Sequence, residues 1–223
     1  MCEAVPASPN CQRLLAGGRH MLFGVSLFSG FFSQARLAEL AGWALVRFDS
    51  AHFLIADGPS THTLVAVGYS PQRAAAKVGQ EARRVRNRVR RALSGAGASD
   101  PDSMLLDWSD LDANPGYVQL RELVRTAFDE EPRFRAACMA VSRAYLRHRG
   151  ESPTERQVVA ASAYFLDELP IGMDTPSILG VAESLCAYHR VLAFAEVLQT
   201  GPGWLAPSAN QGYLMVRTRD FSG

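Results

Sequence analysis

The sequence predicts an α/β fold with a mainly parallel sheet, and three observations carry that reading. Short apolar runs alternate along the chain with longer segments of helical period, the order that builds parallel sheets with helical crossovers. Helical segments carry start and stop signals, Ser33 before one and Ser152-Pro153 and Pro170 around another. A glycine- and serine-rich break, "SGAGASDPDS" (94–103), separates a long helix from the strand candidate that follows.

Taken in order, residues 1–18 carry prolines and polar residues and are expected to be loosely ordered, ahead of a single α/β domain over 19–223. "MLFGVS" (21–26) reads as a buried strand. "SQARLAELAGWAL" (33–45) has helical spacing with Ser33 as its N-cap. "FLIAD" (53–57) is a second strand, ended by "GPS". A long helix covers 71–94, and "MLLDW" (104–108) reads as another strand. Residues 114–150 give two helices divided near Glu131-Pro132. "SPTERQVVAASAYFLDEL" (152–169) opens on a capping box, Ser152 to Glu155, and is expected to stop at Pro170. "SLCAYHR" (184–190) and "YLMVRT" (213–218) are the last strand candidates.

Composition excludes several classes. Nearly half of the 223 residues are apolar and a fifth are charged, as in an ordinary globular chain. No apolar run reaches the roughly 18 residues of a membrane span, and "MCEAVPASPNCQR" lacks a signal pattern. Cys2, Cys11, Cys138 and Cys186 form no C-x-x-C pair, so neither a zinc site nor a disulfide framework is expected, and free thiols fit a cytoplasmic protein. Lys77 is the only lysine. It does not stand in a phosphate-binding loop, and Schiff-base chemistry is not indicated. No G-x-G-x-x-G follows a strand.

The densest charge lies between Arg73 and Arg91. Arg73, Lys77, Arg83, Arg84, Arg86, Arg88, Arg90 and Arg91 face one anion, Glu81, in a chain whose net charge is +1. At about 100° per residue, Ala74, Val78, Ala82, Val85, Val89 and Ala92 fall on one stripe. The cations flank it, with Arg73, Lys77, Arg84, Arg88 and Arg91 on one side and Arg83, Arg86 and Arg90 on the other. Solvated helix faces mix signs, and arginine forks match phosphate oxygens. The helix therefore reads as a phosphate track that positions a nucleic acid without reading its sequence. No aromatics are interleaved along it, so base stacking is not expected there.

Ser26 closes the first strand, where sites of such sheets gather. The surrounding "GVSLF" is not G-x-S-x-G, and Ser29 occupies the lysine position of S-x-x-K. Tyr164 and Glu168 are i,i+4 on one helix face. A phenol and a carboxylate so placed can hold an ammonium group, although a surface glutamate beside a half-buried tyrosine has the same spacing. Tyr188-His189 closes an apolar strand.

Five ordered motifs, "HMLFGVSLFSGFFSQ", "RRVRNRVRRAL", "NPGYVQLRELVRTAFDEEPRF", "YFLDELP" and "LCAYHR", resemble the tRNA-dependent cyclodipeptide synthases over roughly residues 20–218. The resemblance implies a Rossmann-like sheet similar to the catalytic domain of class I aminoacyl-tRNA synthetases. The ATP signatures of those enzymes are absent, and no cofactor or metal is implied, because an aminoacyl-tRNA ester is already activated. The family's nucleophile falls on Ser26, and its ammonium-holding pair on Tyr164 and Glu168. Its second tyrosine, a proton relay, falls on Tyr188, followed by His189. Its first side-chain pocket falls on Leu22, Gly24, Ile171 and Cys186, the last smaller than the expected leucine. Ser29 stands where the large subfamily with that histidine has asparagine. The implied reaction is ping-pong: an aminoacyl group on Ser26, a dipeptidyl-enzyme after a second aminoacyl-tRNA, then cyclisation to a diketopiperazine. Aminoacyl-tRNAs are the implied partners of a monomer or homodimer. The residues alone leave two rivals: an RNA-binding module without chemistry, which the basic helix would serve, and an unrelated serine hydrolase built on Ser26.

Overall fold

A computed structural model describes residues 2–147, 152–191 and 193–218. Six strands form one sheet: β1 (Glu3–Pro6), β2 (His20–Val25), β3 (Ser50–Ile55), β4 (Leu105–Leu106), β5 (Ser184–Tyr188) and β6 (Gln211–Arg217). Their spatial order is β1-β6-β5-β2-β3-β4. Only β1 is antiparallel to its neighbour; the other pairs are parallel. From β2 the chain first steps outward through β3 to β4 and later returns to add β5 on the opposite side. The carboxyl ends of β2 and β5 thus flank the point where strand order reverses, and there the crossover helices leave a crevice.

The central strands are buried on both faces, as in sheets covered by helices. Met21, Phe23, Val25, Phe53 and Ile55 are each at most 1% exposed. Helix α2 (Gln34–Arg47) starts at Ser33, whose Oγ accepts the Arg36 N–H. Helix α4 (Pro71–Gly95) starts at Ser70 with Pro71 in its first turn. Between them lies α3 (Asp57–Ala66), where the sequence suggested only a stop. Gly58-Pro59 reads locally as a turn, but proline is tolerated in a first helical turn because its missing N–H has no partner there anyway. The "MLLDW" segment holds only two strand residues. Asp107 and Asp110 form a capping box that starts α5 (Trp108–Asp112) instead.

Helices α6 (Pro115–Glu130) and α7 (Pro132–Arg147) divide at Glu131-Pro132 as the sequence suggested. The end expected for the second, residues 148–150, lies outside the described residues. Helix α8 (Glu155–Leu179) departs from expectation at both ends. Its N-cap is Thr154, paired with Gln157 in a capping box, rather than Ser152 with Glu155. It also runs through Pro170, with a non-helical residue only at Asp174. Pro170 deletes one helical hydrogen bond, but Leu169, Pro170, Ile171 and Met173 are all buried, and that burial offsets the lost bond. Short helices α9 (Ala193–Leu198) and η1 (Gly203–Leu205) precede β6.

The N-terminal segment is also corrected. Residues 3–17 are ordered as β1 and α1 (Pro9–Gly17), capped by Ser8. Glu3–Pro6 pairs with Leu214–Arg217 of β6. Leu14 and Cys11 lie over Gly212, where a Cβ would meet Leu14 Cδ1 at 2.8 Å and Leu185 Cδ2 at 2.7 Å. The partner that orders this segment is some 200 residues away, beyond the reach of a local reading. The four cysteines are free and buried. Among the described residues, no helix is long and apolar enough to cross a membrane.

Candidate active site

Ser26 follows the last residue of β2, and Tyr188 is the last residue of β5. Parallel pairing of Leu22 with Cys186 and Phe23 with Ala187 brings the two strand ends side by side. Ser26 Oγ and Tyr188 Oη are 2.8 Å apart. Burial pushes the Tyr188 phenol up to about 12, so it keeps its proton at neutral pH and can pass it on. The serine's partner here is a phenol, not the imidazole of a serine-hydrolase triad.

Tyr164 and Glu168, one turn apart on α8, both line the same cavity. Burial pushes the Glu168 carboxyl up to about 7; Asp167 adds to the rise and the Tyr164 hydroxyl opposes it. Burial, then the neighbouring Glu168, raises Tyr164 well above the usual phenol range. An ammonium group entering beside Glu168 would favour the carboxylate. Ser26, Tyr164, Glu168 and Tyr188 all line one cavity of about 610 Å³.

Asp167, one residue before Glu168, points to the opposite side. Its Oδ1 accepts from Arg125 Nη2 of α6 at 3.4 Å, and its Oδ2 is 3.3 Å from His62 Nε2 of α3. Its backbone carbonyl accepts from Tyr117 Oη at 3.0 Å, and Trp108 Nε1 donates to that same phenol. The Glu168 segment is therefore held by α6 and α3, with Trp108 of α5 bracing Tyr117. The sequence reading missed Asp167, whose partners lie far away along the chain and show no local spacing.

Leu22, Gly24, Ile171 and Cys186 line the cavity together with Leu54. A Cβ at Gly24 would meet only Tyr188 Cδ2, at an ordinary 3.9 Å. The glycine therefore answers no clash within the protein, and what it leaves free is cavity. The Cys186 thiol lies 3.5 Å from Thr175 Oγ1 and accepts from Gln211 Nε2 at 3.3 Å; burial pushes it up to about 11. It is a neutral, small wall and not a second nucleophile. Ser29 also lines the cavity, with Oγ accepting the Phe31 N–H at 3.3 Å. His189 stacks on Phe31 with centroids 4.1 Å apart, and burial, then Arg190 and Arg36, hold it down to about 4, so it is neutral.

On α4 the buried side chains are Ala74, Val78, Ala82, Val85, Val89, Ala92 and Leu93, the stripe read from the sequence plus one residue. The cations are less uniform than the wheel suggested. Arg86 pairs with Asp107, and Arg90 pairs with Asp102 at 2.6 Å. Glu81 takes Arg88 at 3.1 Å and Arg84 at 3.5 Å. Arg91 Nε donates to Gln34. Arg73, Lys77, Arg83, Arg84 and Arg91 are exposed, whereas Arg86, Arg88 and Arg90 are half-buried. The acids that engage Arg86 and Arg90 sit in and just after the break that follows the helix. Among the described residues, no cluster of three or more His, Cys, Asp or Glu is placed to hold a metal ion.

Comparison with known proteins identifies the family. A family profile described as cyclodipeptide synthase matches residues 3–218. The chain is 36% identical to a cyclo(L-leucyl-L-leucyl) synthase of Bacillus subtilis, over 93% of this chain and 86% of that one. It is 30% identical to a cyclo(L-tyrosyl-L-tyrosyl) synthase of Mycobacterium tuberculosis, over 95% of this chain and 74% of that one. A solved Mycobacterium tuberculosis structure, described as showing that cyclodipeptide synthetases are related to type I tRNA synthetases, superposes with a TM-score of 0.86 at 30% identity, covering 98% of this chain and 94% of that one. The Rossmann-like sheet, the serine at its switch point and the match over nearly the whole chain lead to one assignment: the protein is an enzyme of the cyclodipeptide synthase family.

Proposed function

We propose that the chain joins two aminoacyl groups, delivered by aminoacyl-tRNAs, through an ester on Ser26. The observation that carries this reading is the 2.8 Å contact between Ser26 Oγ and Tyr188 Oη, in the cavity that also holds the Tyr164–Glu168 pair. Ser26 Oγ attacks the ester carbonyl of a first aminoacyl-tRNA. Its proton passes to Tyr188, which gives its own to the leaving ribose oxygen. Glu168 and Tyr164 hold the α-ammonium of the bound aminoacyl group. With its carboxyl at about 7, Glu168 is suited both to pair with that ammonium and to take its proton. The freed amine attacks the ester of a second aminoacyl-tRNA, releasing that tRNA and leaving a dipeptidyl group on Ser26. Its terminal amine then attacks the seryl ester, closing the six-membered ring and restoring the hydroxyl.

Leu22, Leu54, Ile171 and Cys186 offer no charge and no unpaired donor to the first side chain, so we assign that pocket to an apolar amino acid. The exposed cations of α4 serve the tRNA phosphates. An RNA-binding module without chemistry would have no use for a serine against a buried phenol. The test supplies purified protein with tRNAs charged with single labelled amino acids and looks for cyclic dipeptides by mass spectrometry. Apolar amino acids should give product with wild type and none with Ser26→Ala. Product from the mutant at a comparable rate would refute the serine's role.

A further inference from the structure

Phe28 is the one non-glycine residue among those described with a left-handed backbone, φ 60°. That conformation costs a bulky residue of order 1 kcal/mol or more and persists where the surroundings hold it. Glycine would adopt it without that cost, yet the position carries a large ring. The ring does not enter the core: Phe28 is 38% exposed and lines the cavity two residues after Ser26. Beside it stands a second displayed ring, Tyr69, 40% exposed, just before α4. The ammonium of Lys77 lies 5.9 Å from the Phe28 centroid and 5.7 Å from that of Tyr69. Lys77 belongs to the exposed cationic side of α4. Two aromatic faces and one cation therefore meet where the basic helix reaches the mouth of the cavity.

We propose that Phe28, with Tyr69 and Lys77 beside it, is the platform on which the 3′-terminal adenine of the aminoacyl-tRNA stacks, setting its ester over Ser26. The inference rests on the reading that aminoacyl-tRNA is the substrate. The terminal ribose carries both the ester and the adenine, so an ester at Ser26 Oγ puts the base within one nucleoside of that serine. Among the described residues, two exposed rings line the cavity, Phe28 and Tyr145; Tyr145 is stacked on Tyr164, whereas Phe28 stands two residues after Ser26 beside the cation of the basic helix. Stacking on an aromatic face needs no match to base edges, and none is needed, because every tRNA ends in the same nucleoside. Lys77 is placed to take the adjoining phosphate, and Arg73 and Arg84 continue the same side of α4. The strained backbone has a use in this arrangement: it turns the ring out to the cavity mouth instead of into the core.

The test is a two-by-two comparison. Wild type and Phe28→Leu are titrated with a tRNA ending in its full 3′ sequence and with the same tRNA trimmed of its terminal adenosine. Leucine keeps an apolar side chain on the same backbone and removes the ring. Trimming should weaken binding to wild type by about 5- to 140-fold, the range for one stacked base. It should cost Phe28→Leu little, and Phe28→Trp should restore the difference. An equal loss on trimming for wild type and Phe28→Leu would overturn the proposal. A measurement on wild type alone guards against a misfolded variant: 2-aminopurine in the terminal position should be quenched on binding, and an unquenched probe in the bound complex overturns the platform. If wild type binds neither tRNA and makes no cyclic dipeptide from charged tRNA, the substrate reading itself fails and the platform with it.

Discussion

Replacing Glu168 with glutamine is expected to make the protein more stable and less active at the same time. Burial raises the carboxyl from an ordinary 4.5 to about 7. The folded state therefore holds its proton where the unfolded chain has released it. The sign follows: this group's contribution is fully favourable below about 4.5 and is lost as pH rises through about 7. A rise of this size corresponds to about 3 kcal/mol. Glu168 borders the cavity, where water screens it, so about 1–2 kcal/mol is the better expectation. For a chain of this length that is a Tm gain of roughly 2–8 °C for Glu168→Gln above pH 7, shrinking toward zero near pH 4.5. Circular dichroism melts of both proteins across that range give the difference directly. The difference matters because His20, held down to about 4 by burial and by His52, contributes with the opposite slope in both proteins. In single-turnover acylation the variant should be slower, having lost the charge proposed to hold the substrate ammonium, and Glu168→Ala slower still. Wild-type acylation should fall as pH drops below about 7, and the variant should lack that limb. Parallel melting curves at every pH, with no gain above pH 7, would refute the reasoning.

Tyr188→Phe removes the hydroxyl 2.8 Å from Ser26 Oγ and keeps the ring, so acylation should slow by about 100-fold or more with little change in Tm. Arg84→Ala with Arg91→Ala should flatten the salt dependence of tRNA binding by roughly 0.7–0.9 log units per lost contact, read by filter binding. Arg86→Ala should instead leave that slope nearly unchanged and lower Tm, because it removes the cation that faces Asp107 Oδ2. Asp167→Asn removes a negative neighbour of Glu168, so the acid limb of the acylation profile should move to lower pH; an unmoved limb would detach Asp167 from the site.

What the sequence disclosed was what a short window can hold. The buried stripe of α4 is written in one period-3.6 run, and it matches from Ala74 to Ala92. The position of Ser26 at a strand end follows from one apolar run and one break. The spacing of Tyr164 and Glu168 gave a shared face and no more; their roles came from the resemblance. What stayed hidden depended on distant partners. Cys11 and Leu14 order the N-terminal helix only by lying on β6. Pro170 sits within a helix because it and the segment after it are buried. Arg86 and Arg90 looked free because the acids that hold them, Asp107 and Asp102, belong to later elements. Aromatic rings were sought along α4 itself, whereas Phe28 and Tyr69 reach Lys77 from the loop after β2 and from the residue before its N-cap.

In the proposed mechanism Ser26 carries the growing dipeptide. Rapid mixing of the protein with a tRNA charged with one apolar amino acid, quenched in acid and read by intact-protein mass spectrometry, tests it most directly. Wild type should gain the mass of one aminoacyl group, and of a dipeptidyl group at longer times, with both adducts mapping to the peptide that contains Ser26. Ser26→Ala should gain neither. An adduct that persists in Ser26→Ala, or wild-type cyclic dipeptide formed with no protein-bound intermediate at any time, would contradict it.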